Sequence, residues 1–286
     1  MFNNDIEALI TQRFSHRSFE DKPIEESALK QICATAHEVK APFENRVQIE
    51  HVTVQGDIAK ELKELGAYGT IRGARSFIAG SGPVSNEGLV DFGYVFEHAI
   101  LKATDLGLGS CWLGGSFNRS SFSSRLNLSA GSTIICISPI GVSLEKRPLR
   151  DRLIRLAVGA AKRKPWSDLF LKGGFGTPLK REDTDKYELA LDMLRLAPSA
   201  SNKQPWRVVR DDENRFHFFA SHSTIYRSIM KRMNIPDLQL VDMGICMAHF
   251  QLAAGKLGFE GFWEKIPIKM DLPANTEYIA SWIFQA

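Results

Sequence analysis

The chain of 286 residues contains an internal repeat at an offset of 151 residues, about half of its length. Residues 90–112 read VDFGYVFEHAILKATDLGLGSCW, and residues 241–263 read VDMGICMAHFQLAAGKLGFEGFW. Nine of the 23 aligned positions are identical without gaps, whereas average composition gives roughly one or two. A period this long is not that of a solenoid. The repeat therefore predicts a fold made of two fused copies of one unit.

Each copy of the repeat predicts a long helix followed by a strand, because its apolar residues recur at helical spacing. These residues are Phe92, Phe96, Ala99, Ala103 and Leu106 in the first copy and Met243, Met247, Phe250, Ala254 and Leu257 in the second. Gly107 and Gly258 follow the helices, where a left-handed cap favours glycine. We expect these helices to build the core, and we expect the recurring His98 and His249 to be buried within it.

The composition excludes several classes of protein. Hydrophobic residues make up 44% and charged residues 24%, which is typical of soluble globular chains. No apolar run approaches the roughly 20 residues of a membrane helix, and the N-terminus has no signal-peptide pattern. We therefore expect a cytoplasmic protein without a membrane partner. The four cysteines are predicted to be buried and reduced, and the scattered histidines give no metal-ligand spacing.

Positive charge is concentrated in residues 146–164, which hold eight Lys or Arg and one acid, although the whole chain carries only +3. No aromatic residues alternate with these charges, so nucleic acid is not an expected partner. Two interpretations remain open at this point. The segment is either a solvated helix face or a site for a small molecule that carries a phosphate.

The remaining pattern predicts an α+β fold with two halves, residues 1–165 and 166–286, joined near 165–182. Further helices are expected near 4–14, 25–39, 57–67, 149–158, 182–197 and 223–233. Strands are expected near 47–54, 76–80, 110–114, 132–142, 205–210, 214–220, 258–264 and 277–284. The run Gly80-Ser81-Gly82-Pro83 is interpreted as a loop, since it is too short for a dinucleotide fingerprint and ends in proline.

Three motifs carry candidate chemistry. The run RFSHRSF (13–19) places two arginines and hydroxyls at a predicted helix end, and arginine forks suit phosphate oxygens. The run APSASNKQPW (197–206) combines small residues, which let the backbone approach a flat ligand, with the amides Asn202 and Gln204. The run GLGSCWLGG (107–115) pairs glycines around a short strand, where backbone N–H groups are accessible to a ligand.

Taken together, the three motifs resemble those of the flavin-dependent nitroreductase family, and the resemblance covers most of the chain. It implies an α+β nitroreductase-like fold with mixed sheets flanked by helices. Members of that family are homodimers with FMN at the subunit interface. They pass electrons from NADH or NADPH to nitroaromatics, quinones or similar acceptors.

The sequence departs from the family pattern, because the motifs are divided between the halves. The N-terminal half has the arginine motif but only the degraded APFENRV (41–47) in place of the second motif. The C-terminal half has the intact second motif but no arginine motif before it. The resemblance therefore implies a monomeric, fused pseudo-dimer with one FMN and one decayed site.

The family pattern implies the following cofactor-binding residues: Arg13, Phe14, Ser15 and Arg17; Trp112, Leu113, Gly114 and Gly115; Arg163 and Lys164; and Pro198, Ser199, Ala200, Asn202 and Gln204. It implies no protein catalytic residue, since the flavin carries the redox chemistry. The expected function is an FMN-dependent NAD(P)H oxidoreductase that acts on a small-molecule acceptor. The alternative is an FMN-binding or FMN-storage protein with little or no turnover.

Overall fold

The computed structural model describes residues 1–67, 69–129, 131–144, 159 and 162–285. It has an α+β architecture of two sheets and two long central helices, so the predicted fold class is confirmed. None of the helices among these residues combines the length and apolar character that a membrane span requires. The four cysteines are buried and unbonded, as the sequence predicts.

The N-terminal half contains five helices and four strands among the described residues. They are α1 (Ile6–Gln12), α2 (Glu26–His37), β1 (Gln48–Thr53), α3 (Ile58–Glu64), β2 (Ser76–Gly82), α4 (Asn86–Asp105), β3 (Gly109–Ser110), α5 (Arg119–Ser123) and β4 (Thr133–Gly141). Helix α4 is the predicted long helix, and it packs on α2 and on the sheet.

The C-terminal half repeats this plan. Its elements are α6 (Trp166–Leu169), β5 (Phe170–Lys172), α7 (Glu188–Arg195), β6 (Trp206–Arg210), β7 (Phe216–Ser221), α8 (Thr224–Arg232), α9 (Leu238–Lys256), β8 (Gly261–Glu264) and β9 (Thr276–Phe284), with short 3-10 turns at Arg181–Asp183, Asp185–Tyr187 and Ala200–Asn202. Helix α9 is the second predicted long helix.

The two sheets have the same strand order, apart from one additional strand in the second sheet. The first sheet runs β1-β2-β4-β3 and the second runs β5-β6-β7-β9-β8, with antiparallel pairing except between β5 and β6. If β5 is set aside, β1, β2, β4 and β3 correspond to β6, β7, β9 and β8. The internal repeat seen in the sequence is thus a repeat of topology as well.

The two repeated helices, α4 and α9, touch backbone to backbone at two glycines. A Cβ added to Gly93 would lie 2.0 Å from the carbonyl oxygen of Val241, and one added to Gly244 would lie 1.9 Å from that of Val90. The 151-residue offset relates Gly93 to Gly244 and Val90 to Val241, so the two contacts are equivalent. This equivalence is expected if a two-fold axis relates the two helices. Only residues without a side chain allow helices to approach this closely.

The structure corrects several predicted boundaries. The run Gly80-Ser81-Gly82 is not a loop but part of β2, because a glycine at position 80 lets Phe92 and Phe96 of α4 pack directly on the strand. The helix predicted at 182–197 begins as α7 only at Glu188, since Asp185 has a φ of +55°. The strand predicted at 258–264 starts at Gly261, after Gly258 with a φ of +76°.

Other predictions near the centre of the chain were incomplete. The region expected to be only a joint, 165–182, contains α6 and the three-residue β5, which is too short to produce a recognisable alternation. The strand predicted at 110–114 is reduced to β3 and a separate bridge between Leu113 and Ile137. The helix predicted at 149–158 lies outside the described residues.

Candidate active site

A cavity of about 330 Å³ lies between the two halves, within the usual size range for small-molecule sites. Its lining comes from both halves of the chain and from the basic segment between them. The lining residues are Arg13, Phe14, Ser15, Arg17, Trp112, Gly114, Cys136, Arg163, Pro198, Ser199, Ala200, Ser201, Asn202, Leu238, Val241, Asp242 and Ile245. The three sequence motifs therefore meet at one place.

The arginine motif forms an arm that lies along the edge of the first sheet. Asp5 caps α1, which ends at Gln12, and the chain then continues in an extended conformation. The arm is fixed by a parallel bridge between Ser15 and Ser110 and by a 2.8 Å hydrogen bond from the N–H of His16 to the carbonyl of Ser110. This pairing places the arm beside the glycine strand.

A buried carboxylate links the arm, the glycine strand and the other half of the chain. Glu97 of α4 is fully buried; its Oε2 accepts a 2.7 Å hydrogen bond from Nε1 of Trp112, and its Oε1 lies 2.9 Å from Nε2 of His249. Nε of Arg13 is 3.8 Å from the same Oε1. Glu97 thus orients two side chains that line the cavity.

The turn at 198–202 is held in a conformation that its sequence does not favour. Ser201 and Asn202 have φ values of +50° and +52°, which are costly for residues other than glycine. Hydrogen bonds offset that cost: the N–H of Ala200 donates to Oδ1 of Asp242 at 2.9 Å, and the side chain of Asn202 donates to the carbonyl of Gly159 at 2.7 Å.

Arg163 and Lys164, at the C-terminal end of the basic segment, contact this turn and the nearby Gln204. Nη1 of Arg163 lies 3.5 Å from Oδ1 of Asn202, and Oε1 of Gln204 accepts a 2.9 Å hydrogen bond from the N–H of Lys164. Desolvation, assisted by the nearby Arg207, lowers the pKa of Lys164 to about 8. Positive charge is therefore held close to the cavity, with Arg163 directly in its lining.

Some of the predicted cofactor residues do not line the cavity. Leu113 packs in the core and bridges to Ile137, and Gly115 is exposed beside Ile235. Lys164 and Gln204 bond to each other, and the amide of Gln204 also donates to the carbonyl of Lys162 at 3.3 Å. In the structure, the amide of Gln204 therefore braces the basic segment.

Sequence reasoning missed one wall of the cavity. Leu238, Val241, Asp242 and Ile245 have the spacing of a single helix face, and they line the cavity from α9. The apolar stripe that the sequence predicts for this helix (Met243, Met247, Phe250, Ala254 and Leu257) is a different face, so it does not mark this wall. Cys136 also lines the cavity, and no sequence pattern distinguishes it; Ser201 lines it too and lies within the 197–206 motif, although it is not among the predicted cofactor-binding residues.

The chain matches a known protein family over most of its length. The model of a family described as "Putative TM nitroreductase" matches residues 5–254. The chain belongs to this nitroreductase family. The resemblance inferred from the three motifs is thereby confirmed at the level of the family. No curated protein matches the chain.

The chain is similar to solved structures, and one of them shows the same fold over nearly its whole length. A crystal structure of a "putative nitroreductase" from Thermotoga maritima has a TM-score of 0.61 and 17% identity, covering 99% of this chain and 95% of that chain. A nitroreductase with bound FMN from Desulfitobacterium hafniense has a TM-score of 0.41 and 19% identity, covering 51% of this chain and 92% of that chain.

Proposed function

We propose that the protein is an FMN-dependent oxidoreductase that passes electrons from NADH or NADPH to a nitroaromatic, a quinone or a similar small acceptor. One chain binds one FMN and works as a monomeric pseudo-dimer. The observation that carries this proposal is the cavity, because it joins the arginine arm of one half to the 198–202 turn of the other.

The cavity residues fit the chemical groups of FMN. Arg13, Arg17 and Arg163 offer guanidinium groups, and Ser15 adds a hydroxyl, which together suit a phosphate dianion. The Nε of Arg13 makes no hydrogen bond to the described residues. Gly114 lets main chain line the cavity without an intervening side chain, as a flat ring requires.

The protein contributes binding and orientation to the reaction. FMN, when bound, supplies the two-electron chemistry that side chains lack. Leu238, Val241 and Ile245 form an apolar wall that excludes water. The guanidinium groups in the lining would stabilise negative charge on a bound flavin, because their attraction is strong in a water-poor site.

At the corresponding positions in the other half, a half-exposed ion pair takes the place of the glycine and the leucine that line the cavity. The 151-residue offset relates Gly114 to Lys265 and Leu238 to Glu87. Nζ of Lys265 lies 2.6 Å from Oε1 of Glu87 and 5.2 Å from the centre of the Phe43 ring. A lysine where the first half has a glycine supports a single FMN per chain.

The first prediction concerns stoichiometry and turnover. Purified protein is expected to be yellow with one FMN per chain. Anaerobic addition of NADH or NADPH is expected to bleach the flavin absorbance, and a quinone or nitroaromatic is expected to restore it. Two FMN per chain would contradict the proposal of a single site, whereas bound flavin that neither nicotinamide reduces would point to storage without turnover.

The second prediction tests the arginine arm. Arg17→Ala is expected to weaken FMN binding by about 10- to 150-fold, because it removes a charge-assisted hydrogen bond worth roughly 1.5–3 kcal/mol. Arg125→Ala is the matched control, since Arg125 pairs with Glu61 and does not line the cavity. Titration of apoprotein with FMN, followed by flavin fluorescence, measures both variants. Equal affinities would remove Arg17 from the site.

A further inference from the structure

Asp242 has one carboxylate oxygen without a partner at the wall of the cavity. The residue lies in the second turn of α9 and is only 2% exposed. Its Oδ1 accepts the hydrogen bond from the N–H of Ala200, but its Oδ2 has no hydrogen-bond partner among the described residues. A buried oxygen left in this way costs free energy unless a ligand or a proton satisfies it.

The other half of the chain contains an internal comparison. The 151-residue offset relates Asp242 to Asp91, which is also buried. Oδ1 of Asp91 accepts from the N–H of Phe43 at 2.9 Å, and its Oδ2 accepts from the N–H and the side-chain amide of Asn45 at 2.8 and 2.9 Å. In the N-terminal half, which has the degraded motif, both carboxylate oxygens of the aspartate therefore have hydrogen-bond partners. In the C-terminal half, which has the intact motif, only one of them has a partner among the described residues.

The surroundings of Asp242 favour its neutral form. Desolvation raises the pKa of this carboxyl well above its ordinary value; the Ala200 hydrogen bond lowers it, and the nearby Asp237 raises it further. Tyr226, Cys136 and Cys246 also face it, and the pKa of each of these is raised in part by the Asp242 carboxylate.

Cations are present in the same cavity, but none is paired with Asp242 among the described residues. Arg13, Arg17 and Arg163 line the cavity. Arg13 has its own carboxylate in Glu97, and none of the ion pairs of the described residues includes Asp242. A buried acid without a cationic partner keeps its proton, and a protonated carboxyl is a hydrogen-bond donor.

We propose that Asp242 is a ligand-binding residue of this cavity whose protonated Oδ2 donates a hydrogen bond to an acceptor atom of the bound flavin, while its Oδ1 holds the 198–202 turn. Flavins present carbonyl oxygens and ring nitrogens that accept such a bond. A neutral donor also avoids the repulsion that a carboxylate would exert on an anionic reduced flavin. This inference rests on the proposed function.

The test compares Asp242→Asn, which retains both a donor and an acceptor, with Asp242→Leu, which has neither. At pH 7, Asp242→Asn is expected to bind FMN within threefold of the wild-type affinity, and Asp242→Leu is expected to bind at least tenfold more weakly. As the pH rises, ionisation of Asp242 removes the donor and adds negative charge. The wild-type affinity for FMN is therefore expected to fall at alkaline pH, relative to that of Asp242→Asn.

Asp91→Asn is the matched control. Its new amide nitrogen would face the Asn45 donors, so it is expected to lower the unfolding midpoint without changing FMN affinity. Circular dichroism checks the folding of each variant, and the pH profile of Asp242→Asn remains decisive if Asp242→Leu does not fold.

Two results would overturn the inference alone: wild-type FMN affinity in a folded Asp242→Leu, or the same pH profile for the wild type and Asp242→Asn. A wild-type apoprotein that does not bind FMN would overturn the proposed function and this inference with it. Titration of the wild type therefore comes first.

Discussion

Replacing Gly244 by alanine is expected to lower the free energy of unfolding by about 3 kcal/mol or more, a cost at the upper end of those measured for overpacked cores. The new Cβ would lie 1.9 Å from the carbonyl oxygen of Val90 and 2.5 Å from the amide nitrogen of Tyr94. Both atoms belong to helical backbone, so rotation of a side chain cannot relieve the clash. The two central helices would have to separate, which would also disturb the cavity between the halves. Gly93→Ala should have a similar effect, since its Cβ meets Val241.

Gly255→Ala is the control for this prediction. Gly255 lies in the same helix, α9, and a Cβ added there has nothing within 4 Å. Alanine should stabilise an open helical position by roughly 0.5–1 kcal/mol. Urea denaturation of the three variants measures the difference. A Gly244→Ala protein as stable as Gly255→Ala would mean that α4 and α9 do not meet at their backbones.

The sequence predicted the fold to the extent that its signals were periodic or repeated. The repeat around Gly93 and Gly244 predicted two fused units, and the shared strand order bears this out. The sequence could not predict how closely the helices approach, because a glycine within an apolar helix has several explanations. The sequence also contains no sign of the broken start of α7, because no local pattern marks the positive φ of Asp185.

The candidate site was predicted where the chain carries a family motif, and missed where its residues resemble core. Arg13 and Ser199 were identified from motifs, and both line the cavity. Asp242 was overlooked because it lies within an apolar helix, although its recurrence as Asp91 could have marked it. Glu97 has no counterpart in the second copy, which has Ala248 at that position. Its role depends on contacts between the halves, and a single sequence does not reveal them.

Glu97→Ala is expected to destabilise the fold by roughly 3–5 kcal/mol, because removing one member of a buried hydrogen-bonded pair leaves the others unsatisfied. Nδ1 of His249 contacts the carbonyl of Met193 at 3.0 Å, so it must carry a proton and donate it. The contact between Nε2 and Glu97 is then a buried hydrogen bond that joins the two halves. Without Glu97, the indole N–H of Trp112 also loses its acceptor, and the guanidinium of Arg13 loses its nearest carboxylate.

A double-mutant cycle distinguishes this pairing from a general loss of packing. Glu97→Ala and His249→Ala are expected to be coupled by more than about 1 kcal/mol, since each removes the same contact. The control is His98→Ala, at the position equivalent to His249. Burial lowers the pKa of His98 to about 4, so this ring is neutral at pH 7, and its ring nitrogen contacts the main chain of Tyr94 instead of a carboxylate. Coupling of Glu97 to His98 should be much smaller.

FMN affinity should fall with Glu97→Ala, because Arg13 and Trp112 lose the group that orients them. Additive effects of Glu97→Ala and His249→Ala, with FMN affinity unchanged, would show that the carboxylate neither links the halves nor shapes the cavity.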